Sequence, residues 1–139
     1  MVLVDTTVWS MAFRRKPHNL NLEQEKTRMV LASLIEANHA QLLGAVRQEM
    51  LSGLRERPQY ERVRELLRAF RDVPLEREDY EEAGAVSNAC RSKGIAGNSV
   101  DFLICSVSIR RNWPIFTLDR DFGGYASYLP IQIHSASAS

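Results

Sequence analysis

The chain is predicted to be an α/β protein with a short, mainly parallel central sheet and helices on both faces of that sheet. Short apolar runs typical of strands alternate with longer segments whose apolar residues recur at helical spacing. These runs are almost wholly apolar, as expected for strands that helices cover on both sides. The length of 139 residues suits a single domain, expected over residues 1–134, with a disordered tail at residues 135–139.

The first part of the chain predicts two strands and two helices. The apolar run Val2–Val4 leads into Asp5-Thr-Thr, which is typical of a turn or a helix cap. Apolar residues at helical spacing then indicate a short helix that ends in the charged run closed by Pro17. A longer apolar stripe predicts a second helix over about Leu22–Asn38. The second strand is expected at Gln41–Gly44.

Helices dominate the middle of the chain. One is predicted to begin at Ala45 and to end near Arg57-Pro58, and the next carries apolar residues at helical spacing from Tyr60 to Phe70. Asp72–Pro74 is a strand candidate, and a further helix is expected over about Arg77–Ser92.

The last part of the chain predicts a helix followed by two more strands. Asn98-Ser99 is typical of a cap and opens a helix that continues through Arg111. The remaining elements are a strand, a helical turn and a final strand: Trp113–Leu118, Asp119 to about Tyr125, and Ile131–Ile133.

Composition argues against several classes of protein. No run approaches the roughly 18 consecutive apolar residues of a membrane span, and no signal peptide opens the chain, so a cytoplasmic protein without a membrane partner is expected. Cys90 and Cys105 lack C-x-x-C spacing, and the three histidines form no ligand spacing, which disfavours a zinc site. The net charge of +1 is too small to steer nucleic acid strongly.

Four carboxylates are predicted to meet at one edge of the sheet. Ligands of open parallel sheets bind outside the carboxyl ends of the strands. Asp5 ends the first strand, and Asp119 ends the strand that begins at Trp113. Glu49 lies early in the helix after the second strand. Asp101 lies in the first turn of a helix whose N-terminus reaches the same edge if that helix packs antiparallel to the next strand.

Each of these acids also has an ordinary structural interpretation. Asp5 and Asp119 can act as N-caps, Asp101 stands at capping-box spacing from Asn98, and Glu49 can be a solvated helix residue. Four caps need not share one edge of a sheet, so their coincidence favours a common site.

Such a site suits a hard cation. Carboxylates without histidine or cysteine favour Mg²⁺ or Mn²⁺, and a divalent ion offsets the repulsion among clustered carboxylates. Metal-bound water and a polarised phosphate are the requirements of phosphodiester hydrolysis. Thr6, Thr7 and Thr117 place hydroxyls beside the acids, where they can orient carboxylates or water, or serve only as caps. Asp121 is divided between outer support of the site and helix-start chemistry.

The order of the acidic motifs resembles the PIN-domain family, and in size and spacing the VapC-type toxin ribonucleases. The motifs are VLVDTTVW (residues 2–9), RQEM (47–50), SVDFLI (99–104) and TLDRDF (117–122). The resemblance spans essentially the whole chain and implies a PIN-like three-layer fold. It carries over to Asp5, Glu49, Asp101 and Asp119 as the catalytic, metal-binding acids, with Thr117 as a polar helper and Asp121 as a more peripheral acid.

The same resemblance implies an activity and partners. It implies Mg²⁺- or Mn²⁺-dependent endonucleolytic cleavage of RNA, a homodimer, and a cognate VapB-type antitoxin that blocks the site. Arg14, Arg15 and Lys16 are either phosphate contacts or a solvated helix end. Two alternatives remain at this point. One is a PIN-like module that binds RNA or protein without cutting, and the other is an aspartyl phosphatase, which needs an acid where Thr7 stands.

Overall fold

Three parallel strands lie at the centre of the computed structural model, which describes residues 1–14 and 17–135. The strands are β1 (Val2–Val4), β2 (Ala40–Gln41) and β3 (Ile115–Phe116), in the order β2-β1-β3. All three residues of β1 are buried. Because successive side chains of a strand point to opposite faces, the sheet is covered on both faces. The predicted α/β class with a parallel sheet is confirmed.

Two isolated parallel bridges extend this sheet at its edges. Leu42 pairs with Asp72 beyond β2, and Ile115 pairs with Ile133 beyond β3. Both partners fall inside predicted strands, but each contributes a single bridge. The full-length strands predicted at Asp72–Pro74 and Ile131–Ile133 are therefore wrong in extent.

Within the described residues, seven α-helices surround the sheet. Helix α1 contacts α2, α3 and α4, and α5 packs along α6. None of these helices is long and apolar enough to cross a membrane. Their bounds are α1 Thr6–Arg14, α2 Leu22–Glu36, α3 Gly44–Leu51, α4 Arg57–Leu67, α5 Arg77–Ser92, α6 Ser99–Arg111 and α7 Asp121–Ala126, with a short 3₁₀ helix at Pro17–Asn19.

Helix boundaries differ from the prediction where backbone geometry intervenes. The helix from residue 44 ends at Leu51, ahead of Gly53, whose φ of 88° is incompatible with a continued helix. Pro58 lies in the first turn of α4 rather than at the end of α3. A backbone N–H in the first turn of a helix has no partner within the helix, so a proline is tolerated there. Helix α2 stops before Asn38, which adopts a φ of 63°. Arg15, Lys16 and residues 136–139 lie outside the described residues.

A buried ion-pair cluster joins α5 to α6. The Asp79 side chain is fully buried and lies 2.6 Å from the Arg110 guanidinium and 3.2 Å from that of Arg111. Its Oδ2 also accepts the Glu76 N–H at 2.8 Å. Burial alone raises the pKa of Asp79, but the bonds from Glu76, Arg110 and Arg111 outweigh it and hold that pKa below its usual range.

Removing the Asp79 carboxylate is expected to destabilise the fold. Asp79→Ala leaves two guanidinium groups without their buried partner, so the free energy of unfolding should fall by about 3 kcal/mol. Urea denaturation at pH 7 measures this change. The matched control is Asp72→Ala, which removes the half-exposed partner of Arg47 and should cost less than about 1 kcal/mol. Equal losses in the two variants would contradict the prediction.

The pH dependence of this contribution has a definite sign. Since the folded pKa of Asp79 is lowered, its stabilisation is fully present above the unfolded pKa of about 3.9. It is lost as the pH falls through the folded pKa. Acid unfolding should therefore begin at higher pH in Asp79→Ala than in the wild-type chain.

Candidate functional site

Asp5 lies between β1 and α1 and is almost completely buried. Its N–H donates to the Phe116 carbonyl at 2.9 Å, and its own carbonyl accepts the Val8 N–H at 3.1 Å, which starts α1. The side chain is held differently, because Oδ2 accepts the hydroxyls of Thr7 and Thr117, each at 2.7 Å. Asp5 therefore begins the helix through its backbone, and its carboxylate is free of any strong capping bond.

The two threonine hydroxyls connect β1 to the chain after β3. The Thr7 hydroxyl oxygen accepts the Leu118 N–H and the Thr117 oxygen accepts the Asp119 N–H, both at 2.9 Å. Each hydroxyl proton is thereby left to donate to Asp5. This network fixes the orientation of the Asp5 carboxylate relative to Asp119. Both Thr7 and Thr117 donate to Asp5, and the role of these hydroxyls in orienting the site remains a prediction.

Glu49 and Thr6 form a separate pair beside Asp5. The Thr6 hydroxyl donates to Glu49 Oε1 across the α1–α3 contact. Glu49 is half-buried rather than a fully solvated helix residue. This bond holds the Glu49 carboxylate on the side of α3 that faces the start of α1.

Asp101 lies in the first turn of α6 and is 6% exposed. Its N–H donates to the Asn98 side chain at 2.8 Å, which caps the helix. Its carboxylate does not reach back to complete a capping box, because Oδ2 accepts the Tyr125 hydroxyl at 2.7 Å. Burial raises the pKa of Asp101 to about 6, helped by the charges of Asp5, Asp119 and Glu49 and opposed by the Tyr125 bond.

Three of the carboxylates approach one another closely. Oxygen atoms of Asp101, Asp119 and Asp121 lie within 4.8 Å of one another. Asp119 Oδ1 also accepts the N–H of Asp121, the first residue of α7, at 2.9 Å, so the same carboxylate bonds to the start of the helix and belongs to the cluster. Asp121, expected to be peripheral, lies beside Asp101 and Asp119. Asp5 and Glu49 lie outside this closest group, but their charges act on Asp101.

Tyr125 is a contact that the sequence reasoning missed. It is fully buried on α7, and its hydroxyl bond to Asp101 crosses from one helix to another. Burial and the Asp101 carboxylate together raise its pKa, so the hydroxyl stays protonated and acts as a donor. One signal was available. Tyr125 follows Phe122 at helical spacing, and a tyrosine on a buried face needs a partner for its hydroxyl.

The acidic cluster has no protein counter-ion within the described residues. All the ion pairs among the described residues involve acids outside the cluster, namely Glu23, Glu25, Glu61, Asp72 and Asp79. Oxygen ligands about 2.1 Å from an Mg²⁺ ion lie up to about 4.2 Å apart across it. The oxygen atoms of Asp101, Asp119 and Asp121 lie within 4.8 Å of one another, which is close to that span. The donor set therefore fits a hard divalent cation.

A polar cavity of about 550 Å³ lies beside Thr7, whose hydroxyl donates to Asp5. It meets the site at Thr7 and Leu118, whose side chain is 46% exposed. Most of its lining side chains carry hydroxyl or amide groups that can form hydrogen bonds, and Arg14 is the charged residue among them. Its lining residues are Thr7, Ser10, Met11, Arg14, Gln24, Gln59 and Leu118.

Comparison with known proteins identifies the family of this arrangement. The family model of the PIN domain matches residues 2–127. PIN-domain toxins are typically nucleases, and PIN domains generally use divalent metal ions. A comparison with curated protein sequences finds no match.

Solved structures share the fold at low sequence identity. The FitAcB structure from Neisseria gonorrhoeae has a TM-score of 0.75 and 19% identity over 100% of both chains. VapBC2 from Rickettsia felis, bound to a promoter DNA fragment, has a TM-score of 0.71 and 18% identity over 96% of this chain and 98% of that one. A toxin–antitoxin complex from Klebsiella pneumoniae has a TM-score of 0.63 and 17% identity, covering 89% and 92%.

Proposed function

Since the chain belongs to the PIN-domain family, we propose that it is a metal-dependent endoribonuclease and the toxin of a VapBC-type toxin–antitoxin pair. One observation carries the proposal. Among the described residues, a buried, a half-buried and an exposed carboxylate (Asp101, Asp119 and Asp121) converge without a protein cation, at the sheet edge where Asp5 leaves β1. Such a cluster is costly unless a bound cation compensates it.

We assign the ion, Mg²⁺ or Mn²⁺, to Asp5, Asp101 and Asp119, with Glu49 completing the site. A bound ion of this kind supplies an activated water and stabilises charge on the phosphate. Thr7 and Thr117 hold the Asp5 carboxylate, and Thr6 holds Glu49. Asp121 stands close enough to Asp101 and Asp119 to bind the ion directly or to orient its water.

The polar cavity beside Thr7 is proposed to receive the RNA strand next to the cleaved bond. Amide and hydroxyl groups suit the edges of unpaired bases, and Arg14 suits a phosphate. Gln24 offers a fixed donor there, because its oxygen accepts the Asn21 N–H at 3.0 Å. Its amide N–H groups are thereby turned away from the cap.

We further propose an antitoxin partner and a homodimer. The structures with this fold include a toxin–antitoxin complex, and helices α2 and α4 expose large apolar side chains that a partner helix can cover. These are Leu22, Met29 and Leu66. Elsewhere on the surface, the exposed Tyr80 of α5 borders an apolar cavity of about 480 Å³. That surface suits a second copy of the chain.

The test is metal-dependent cleavage of RNA by the purified chain, freed of antitoxin. We expect cleavage of cellular RNA in Mg²⁺ or Mn²⁺, loss of cleavage on chelation with EDTA, and recovery when the ion is restored. Product ends mapped by sequencing measure endonucleolytic cutting directly. Binding of RNA without cleavage in either metal would instead support the PIN-like binding module, the second candidate function.

A further inference from the structure

We infer that Tyr125 is a positioning residue that fixes the Asp101 carboxylate for metal binding. The inference rests on the proposed metal site and adds a residue to it. The hydroxyl of Tyr125 donates to Asp101 Oδ2 at 2.7 Å. Among the described residues, the Asp101 carboxylate forms this one hydrogen bond. A carboxylate in the first turn of a helix can otherwise rotate about its side-chain bonds.

Two phenylalanine rings hold the tyrosine itself in place. Its ring is fully buried and packs on Phe102, at 5.2 Å between ring centroids, and on Phe122, also at 5.2 Å. Phe102 directly follows Asp101 in α6, so the same contact that seats the ring also ties α7 to the helix bearing the carboxylate. The hydroxyl therefore has a fixed position from which to donate.

Gly97 makes room for this hydroxyl. A Cβ atom at residue 97 would lie 2.4 Å from the Tyr125 hydroxyl oxygen and 2.8 Å from the Phe102 ring. Both distances are too short for any side chain, and the φ of Gly97 is not in the left-handed region. Glycine is required at this position for space rather than for backbone conformation, and the space is filled by the phenol that contacts Asp101.

A neutral donor suits a metal ligand better than a cation does. A lysine or arginine at this position would neutralise Asp101 and compete with the ion, whereas a phenol orients the carboxylate and leaves its charge in place. Mg²⁺ demands near-ideal octahedral geometry, so an ordered ligand reduces the cost of binding. Groups that orient metal ligands typically contribute 10- to 100-fold to metal affinity or activity.

The test is Tyr125→Phe, which removes the hydroxyl and keeps the ring. Calorimetric titration with Mn²⁺ at pH 7.5 should give about tenfold weaker binding, and the Mn²⁺ concentration for half-maximal RNA cleavage should rise in parallel. The KM for RNA should change little. The matched control is Tyr128→Phe, which removes a hydroxyl from a half-exposed ring and should bind Mn²⁺ as the wild-type chain does.

A second pair of variants separates positioning from a general effect on folding. In an Asp101→Asn background, Tyr125→Phe should produce no further loss of Mn²⁺ affinity, because the two changes remove one interaction. Gly97→Ala should weaken Mn²⁺ binding as Tyr125→Phe does, since it displaces the phenol. Additive losses, or wild-type Mn²⁺ affinity in Tyr125→Phe, would overturn the inference.

The binding measurement keeps this inference apart from the nuclease proposal. A wild-type chain that binds Mn²⁺ but cuts no RNA would refute the nuclease, while the effect of Tyr125→Phe on Mn²⁺ affinity would still decide the role of Tyr125. A wild-type chain that binds no Mn²⁺ would overturn both.

Discussion

Asp101→Asn is expected to reduce RNA cleavage more than about a hundredfold and to make the metal-free protein more stable. The loss follows because the variant removes a proposed metal ligand, and even groups that only orient ligands contribute up to about a hundredfold. The gain follows because burial, helped by the neighbouring negative charges, raises the pKa of Asp101 to about 6, so that its ionised form destabilises the fold. Asparagine keeps the shape of the side chain and can still accept the Tyr125 hydroxyl.

Two measurements on the same preparations test both parts. Cleavage is followed in Mg²⁺, and urea unfolding is followed in EDTA at pH 8, where we expect the free energy of unfolding to rise by about 1–2 kcal/mol. Glu65→Gln, an exposed charge removal on α4, should alter neither. If Asp101→Asn lost activity and stability together, the loss of cleavage would reflect damaged folding rather than a missing ligand.

The proposed metal site would trade stability of the metal-free fold for function. Functional sites often retain groups that destabilise the fold, because the bound ligand compensates them. Asp79 provides the contrast within this chain. It is as deeply buried as Asp101 but is matched by two arginines and has a lowered pKa. The pKa of Asp79 is lowered and that of Asp101 is raised, which distinguishes a structural ion pair from the proposed cation site.

The fold class could be predicted from the sequence because the apolar runs of the strands and the apolar spacing of the helices are clear. Residues 2–4 are apolar throughout, and all three are buried in the central strand. Strand lengths did not follow, because burial and pairing are different properties. Leu42 and Leu43 are fully buried, yet β2 ends at Gln41. A run of apolar residues predicts burial, and only the neighbouring strand determines how many residues pair.

The candidate site was predicted as a set of residues but not as a geometry. A bond to the helix start and membership of the site were treated as alternatives, whereas Asp119 accepts the N–H of the first residue of α7 and also joins the carboxylate cluster. The proximity of Asp121 to Asp101 depends on where α7 begins, which sequence patterns locate only to within a few residues. The Tyr125 contact depends on the packing of α7 against α6, and no local pattern encodes that distance. The roles assigned to the four acids remain predictions for the variants described above.

The affinity for metal is expected to depend strongly on pH below about 6. Carboxylate ligands bind divalent ions in their deprotonated form, and burial, with the charges of Asp5, Asp119 and Glu49, raises the pKa of Asp101 to about 6. Below that value, each unit of pH should weaken Mn²⁺ binding up to about tenfold, through the one proton that must leave. Above pH 7 the affinity should be nearly constant. Calorimetric titrations between pH 5 and 8 measure the profile.

The stability of the metal-free chain should change with pH in the opposite direction to its metal affinity. The folded pKa of Asp101, about 6, exceeds the unfolded value of about 3.9, so the folded state binds more protons between them. The contribution of Asp101 to the free energy of unfolding is therefore highest below about pH 4 and declines as the pH rises through 6. The Asp79 contribution is lost only at lower pH, so the two windows are distinct. Saturating Mn²⁺ at pH 7.5 should restore the lost stability by mass action.

The variant Asp101→Asn is the control for both profiles. In this variant the pH dependence of Mn²⁺ affinity and that of stability should largely disappear. A Mn²⁺ affinity that stays constant down to pH 5 in the wild-type chain would exclude Asp101 as a ligand that titrates near 6.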